Sequence, residues 1–344
     1  MHPREDTDPR QIGGIEVLGR LGKGGMGRVY LGRTEDGDRV AVKTMHKEHA
    51  DNPAAMERFS REISAMSMVC SPGVAELVAA SAADADPRWL AMEYVPGLTL
   101  REHVDRSGVL DGPAATALAL LLAEALAAIH GAGLLHRDLK PANVMLGPEG
   151  PKVIDFGLVA IGGAGGELTG SRTTLGTPLC MAPEQIATPA TVAEPADVYG
   201  LGAVLVFASA GHYPVMRESR DALLAAVALS SVPRDVSGVP GELAPLVERM
   251  LAVDPAERPG VGEVRAELRE LLAASGRIPA AARADLARAT YVPGPDDPEP
   301  PAAPAPARLR RRTATADSPT GPKNAAAVRA AERLRRAYAR PPAA

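Results

Sequence analysis

The sequence predicts an α+β chain of two unequal lobes, a small antiparallel β-sheet carrying one helix and then a larger, mostly helical body. Three observations carry this expectation. Residues 12 to 95 alternate short β-branched runs with Gly and Asp turns, and a single helix-period stretch from about Pro53 to Met68 breaks them. From Thr99 the apolar residues fall in long helical stripes that continue to about Leu272. Beyond Gly276 the composition changes: residues 276–344 hold 12 of the 32 prolines and only two aromatics, Tyr291 and Tyr338, too little apolar surface to offset the entropy of ordering them.

In chain order, residues 1–11 are polar and charged with no apolar stretch behind them, which predicts a disordered terminus and no secretory leader. The small lobe then covers 12–95. Its first strands enclose Gly22-Lys-Gly24-Gly-Met-Gly27-Arg-Val29. Extended runs from Arg28 to Arg33 and from Arg39 to Lys43, joined by the turn Glu35 to Asp38, place those glycines at the tip of a hairpin. The large lobe covers 96–275, with two short strand-like pieces flanking Asn143 to Val153. Its most apolar windows, Ala114 to Ile129 and Val198 to Ala210, fall short of the roughly 18 to 20 residues that span a bilayer, so core helices and no membrane span are expected. The tail, 276–344, should be largely disordered, with short helices at Ala280 to Ala289 and Ala325 to Ala339.

A net charge of −4 argues against a globally basic surface, so no nucleic-acid partner is expected. Charge in the tail is segregated. Asp296, Asp297 and Glu299 precede a stretch, 308–340, with ten Arg or Lys against two acids. Within it, Arg308-Leu-Arg-Arg-Arg-Thr313-Ala-Thr315 reads first as a solvated linker and second as an autophosphorylation or docking site. Cys70 and Cys180 lack the spacing that holds zinc and read as reduced thiols of a cytoplasmic protein.

The glycine pattern alone is a weak signal, and its context narrows it. A dinucleotide loop needs a helix directly after the glycines, and a Walker loop needs a following Gly-Lys-Ser/Thr. Neither is present, which leaves a hairpin whose backbone can close over a triphosphate. Next, Val40-Ala-Val-Lys43 sets one lysine at the end of an apolar strand. It needs a countercharge, and Glu62 on the following helix is preferred over Glu57 and Glu48 because Phe59, Ile63 and Met66 mark that helix's apolar side. Such a pair aims an ammonium at the α and β phosphates. Then come His136-Arg137-Asp138-Leu-Lys140-Pro-Ala-Asn143 and, behind the strand Val153-Ile154, Asp155-Phe156-Gly157.

With these motifs in this order the chain resembles the protein kinases, and among them the bacterial, eukaryotic-like (Hanks-type) serine/threonine kinases. Its Ala, Gly and Pro richness suits an actinobacterium. The match runs from about Ile12 to Leu272 and implies the bilobal protein-kinase fold. By resemblance, the γ-phosphoryl group of ATP passes to Ser or Thr hydroxyls of protein substrates. Lys140, two residues after Asp138 and followed by Pro, looks like the serine/threonine subclass. Asp138 would accept the hydroxyl proton, Lys140 would steady the γ-phosphoryl group, and Asn143 and Asp155 would hold Mg²⁺ or Mn²⁺.

The implied ATP-binding set is Leu21, Gly22, Lys23, Gly24, Gly25, Met26, Gly27, Arg28, Val29, Ala41, Lys43, Glu62, Met92, Glu93, Val95 and Met145, with Met92 as gatekeeper before the hinge. His136, Arg137, Phe156 and Gly157 are structural by the same resemblance. Glu184, closing the run from Gly176, would pair with Arg258, and Asp197 would brace the catalytic loop. Thr173 and Thr174 are expected autophosphorylation sites, with a homodimer for that reaction, and Thr177 belongs to the substrate platform. Cys180 stands where the family has an aromatic and reads as a small buried hydrophobe, or else as a redox-sensitive thiol. Two alternatives stay open: a small-molecule phosphotransferase, which would lack the platform, and a pseudokinase scaffold, which would lose Lys43, Asp138 or Asp155.

Overall fold

The computed structural model, which describes residues 2–23, 27–46, 52–83, 85–155, 178–229, 232–294 and 297–299, pairs the β-branched runs into one antiparallel sheet. Its strands are β1 (His2–Pro3), β2 (Gln11–Ile12), β3 (Ile15–Lys23), β4 (Gly27–Arg33), β5 (Arg39–Met45), β6 (Leu77–Ala80) and β7 (Trp89–Glu93). They lie in the order β1-β3-β4-β5-β7-β6, with β2 alongside β3. Period-two alternation sorts their side chains. Val40, Val42, Tyr30 and Ala91 join Ile12, Ile15 and Val17 in a cluster on the outer face. Ala41, Met45, Leu90 and Met92 point the other way into the main core, and Lys43 shares their face by register.

Helix α1 (Pro53–Met68) covers that inner face. Asn52 caps it by accepting from the N–H groups of Ala54 and Ala55, and its buried residues Ala55, Phe59, Glu62, Ala65 and Met66 recur at helical spacing. Glu62 is thus an acid on a buried stripe facing Lys43.

In the large lobe the described residues form α2 (Leu100–Ser107), α3 (Gly112–Gly131), α4 (Pro183–Ala187), α5 (Glu194–Ala210), α6 (Arg220–Ala228), α7 (Ala244–Met250), α8 (Val261–Ala274) and α9 (Pro279–Thr290). A small sheet of β8 (Leu98–Thr99), β9 (Val144–Gly147) and β10 (Gly150–Val153) sits beneath the hinge. Helix α3 lies at the centre, against α5, α8 and α9. Asp111 caps it by accepting from Ala114 N at 2.8 Å, so it begins earlier than the apolar window. At 20 residues it is long and apolar enough to cross a bilayer, which corrects the shorter length expected; most of it is nevertheless buried inside the lobe, as a core helix is.

The expected disorder fails at the N-terminus, whereas in the tail the short helix expected at 280–289 forms and is packed onto the lobe. In the stretch 1–11, His2 and Pro3 pair with Arg20 and Gly19 on β3, and Asp8 is buried. The physical reason is a set of cations waiting on the sheet, which the local polar composition does not show. Beyond 275, α9 places Ala282 and Leu286 in the main core, and Tyr291 is 5% exposed. Small apolar residues at helical spacing supply enough contact to order it. The chain then returns to the small lobe, where Asp297 forms an ion pair with Arg39 at 2.9 Å and Arg39 lies over the Tyr94 ring. Gly97 (φ 119°) permits this crossing, because a Cβ there would stand 2.3 Å from Leu146 O and 3.2 Å from Tyr291. The expected helix at 325–339, with Thr313 and Thr315, lies outside the described residues.

Candidate active site

The glycine hairpin is built by β3 and β4, in which Gly22 stands opposite Val29 and Lys23 opposite Arg28. Gly24, Gly25 and Met26 lie outside the described residues. A Cβ on Gly27 would sit 1.6 Å from Thr44 O, so only glycine lets β4 approach β5 here. Leu21 and Val29 pack against the main core. Arg28 differs from its place in the expected ATP set. Alternation turns its side chain to the outer face with Tyr30, where it pairs with Asp8 at 3.1 Å, so its side chain does not take the place expected of it.

Lys43 reaches both lobes. Its Nζ donates to Glu62 Oε1 at 2.6 Å and to Asp155 Oδ1 at 3.0 Å. Burial pushes the Lys43 ammonium down, but Asp155 and Glu62 together outweigh it and hold its pKa above the ordinary lysine value. Burial pushes Asp155 up, yet the Lys43 charge carries it below the usual carboxylate range. For Glu62, burial prevails over Lys43 and raises it. Asp155 adopts φ 54°, a left-handed conformation uncommon for a residue with a side chain, and remains 40% exposed toward the cleft.

The second group converges on Asp138. Lys140 Nζ donates to Asp138 Oδ2 at 2.6 Å, and Asn143 Nδ2 donates to Asp138 O at 2.9 Å and Oδ2 at 3.2 Å. With its amide N–H₂ committed, the Asn143 side-chain oxygen faces elsewhere. Ile154 N donates to Asn143 O at 2.9 Å, joining this loop to the strand that carries Asp155. Asp197, 2% exposed, fixes the loop: it accepts from His136 N at 2.8 Å and Arg137 N at 2.7 Å, and His130 Nε2 lies 2.9 Å away. Arg137 is held at φ 62°. Burial lowers the fully enclosed His136, keeping it neutral, and its Nδ1 accepts from Asp138 N at 3.3 Å.

Glu184 and Arg258 form a bidentate pair at 2.6 and 2.8 Å, and the Arg258 side chain has no exposure. Cys180 lies in the core, where burial raises its thiol, so a small buried hydrophobe describes it better than a redox sensor. At the hinge, Met92 is buried opposite Ala41, Val95 lies against Gly147, and Met145 sits on β9 opposite Lys152. The Glu93 carboxylate is taken by Lys152, leaving its main chain for a ligand. Phe156, Gly157, Thr173, Thr174 and Thr177 lie outside the described residues.

Sequence reasoning missed Gln185 and His130. Gln185 Nε2 donates to Arg137 O at 2.7 Å and its Oε1 accepts from Ala182 N at 2.9 Å, stitching the start of α4 to the loop from His136 to Asn143. Its adjacency to Glu184 was the available signal. For the metal, no group of three His, Cys, Asp or Glu exists among the described residues. Asn143 and Asp155 offer oxygen donors only, which fits a hard divalent cation completing its shell with phosphate and water.

The protein kinase domain family matches residues 15–268. Serine/threonine-protein kinase AfsK of Streptomyces coelicolor is 43% identical over 273 residues, covering 78% of this chain and 33% of that protein. The probable serine/threonine-protein kinase PkwA of Thermomonospora curvata is 39% identical over 268 residues, covering 78% of this chain and 35% of its own. The chain thus spans about a third of the length of the curated relatives it matches. Among solved structures, the Mycobacterium tuberculosis PknI kinase domain superposes with a TM-score of 0.58 at 28% identity, over 76% of this chain and 96% of that one.

Proposed function

The chain belongs to the protein kinase family, and from that premise we propose that it transfers the γ-phosphoryl group of ATP to serine and threonine hydroxyls of proteins. The observation that carries the reading is the meeting of two groups from distant parts of the chain, Lys43 with Glu62 and Asp155, and Asp138 with Lys140 and Asn143. Lys43, oriented by Glu62, holds the α and β phosphates. Asp138 receives the alcohol proton and aims the oxygen, while the Lys140 ammonium at its side meets charge developing on the γ-phosphoryl oxygens. Asn143 and Asp155 would hold a divalent cation, Mg²⁺ in this proposal, which neutralises charge on the β and γ oxygens. The bidentate Glu184–Arg258 pair supports a peptide platform and favours a protein acceptor over a small molecule.

Regulation by autophosphorylation at Thr173 and Thr174, within a homodimer, is part of the proposal. It is supported by Arg137, whose guanidinium forms no ion pair with a described carboxylate and is lowered by burial, so a phosphate beside it would be well received. Two unpaired cysteines fit a reducing, ATP-containing compartment, the cytoplasm. The test is phosphate transfer to a generic basic protein by purified Lys43→Met and Asp138→Asn. Each should lose about a hundredfold or more in rate with an unaltered circular dichroism spectrum; near-normal transfer by either would overturn the reading.

A further inference from the structure

Both strands of the glycine hairpin are fastened at the base by a residue from outside it. Asp8, on the arm of residues 2–12, has a side chain with no exposure. Its Oδ1 accepts from Arg20 Nη2 at 2.8 Å, from Arg28 Nη1 at 3.1 Å and from Tyr30 OH at 3.1 Å. Its Oδ2 accepts from Glu5 N at 2.8 Å and forms an ion pair with Arg20 Nε at 2.6 Å. Arg20 belongs to β3 and stands opposite Tyr30 on β4, while Arg28 on β4 stands opposite Lys23. One carboxylate therefore ties the two strands together just below Gly22 and Gly27. The arm is itself anchored, by pairing of His2 and Pro3 with β3, by Val17 N donating to Arg10 O at 2.9 Å, and by Ile12 in the outer apolar cluster.

We propose that Asp8 is a positioning residue for nucleotide: it clamps the base of the hairpin so that the strands carrying Gly22 and Gly27 keep the spacing a triphosphate needs. This rests on the kinase reading. A buried carboxylate is unfavourable unless cations surround it, and the outer face already has an apolar cluster to hold it. All three side-chain partners of Asp8 lie at the hairpin base, where they fix the spacing of the strands that carry Gly22 and Gly27. Restraint before binding reduces the ordering entropy lost when the nucleotide binds. It acts on phosphate contacts and leaves the base and sugar untouched, so the clamp should distinguish ATP from adenosine.

The experiment uses the 344-residue protein and titration calorimetry with Mg-ATP and with adenosine, alongside steady-state kinetics. Asp8→Asn should weaken ATP about tenfold and Tyr30→Phe about threefold, with adenosine held within about twofold. The loss should appear in the KM for ATP more than in kcat. Equal losses for ATP and adenosine would reduce Asp8 to a structural support, and unchanged ATP affinity would remove its role; either result overturns the proposal. Should Asp8→Asn lack a cooperative melt, Tyr30→Phe, which deletes one hydroxyl, decides by the same criterion. Failure of the unaltered protein to bind ATP would instead overturn the kinase reading.

Discussion

Arg258 carries a full charge with no exposed side-chain surface, and its partners explain how. Besides Glu184 it donates to the carbonyls of Pro195, Ala252 and Val253, at 2.9, 2.8 and 3.1 Å, and it lies 5.0 Å from the Tyr199 ring centroid. Carbonyl dipoles solvate a guanidinium without neutralising it. Glu184→Gln should therefore lower stability by about 3–5 kcal/mol in urea unfolding, and a loss below about 1 kcal/mol would mean the carbonyls suffice. Asp8 gives the pH counterpart. Burial pushes its carboxyl up, but the Arg20 hydrogen bond and ion pair, with Glu5 N–H and Tyr30 OH, carry it from 3.8 down to about 2. A depressed folded pKa means the contribution is whole above about pH 4 and is lost as pH falls toward 2. The gap in melting temperature between the unaltered protein and Asp8→Asn should stay constant from neutral pH to about 5 and close below 4; a gap that widens on acidification would reverse this sign. His136 to Asn143 was legible because its chemistry is packed into eight consecutive residues. Asp8 was not, since its side-chain partners lie 12 to 22 positions away.

Among the elements, α9 shows where composition misleads. Residues 280–289 read as a short helix in a largely disordered tail, yet Ala282, Leu286 and Ala287 form a narrow apolar stripe and all are nearly fully buried. A stripe of alanines contributes little to a hydropathy profile while still allowing close approach to α3 and β10. Leu286→Ala should cost about 2–5 kcal/mol, and truncation after Gly276 should cost more, seen as a lower melting temperature or loss of soluble protein. An unchanged melt after truncation would mean that α9 rests on the lobe without supporting it. The hairpin strands and α1 were legible because Gly, Asp and Asn punctuate them and their periods are clear; the capping of α3 by Asp111 was the local cue that gives its full 20 residues.

For the molecule, the change of period from two to 3.6 made the two lobes legible. The continuity of their cores was not, because that depends on which face each strand presents. Met45, Phe59, Leu90 and Met92 from the sheet side belong to the same buried cluster as Leu118, Leu126 and Leu201. Shared burial of this kind couples unfolding, so calorimetry should record one transition with matching calorimetric and van't Hoff enthalpies; two resolved peaks would show the lobes to be independent. The contact of Asp297 with Arg39 has a mechanical consequence for that unit. The covalent crossing at Val95 to Gly97 is one tie between the lobes and this charged contact is a second clasp beside it, so parting the lobes along this side would break an ion pair as well as pull on the chain.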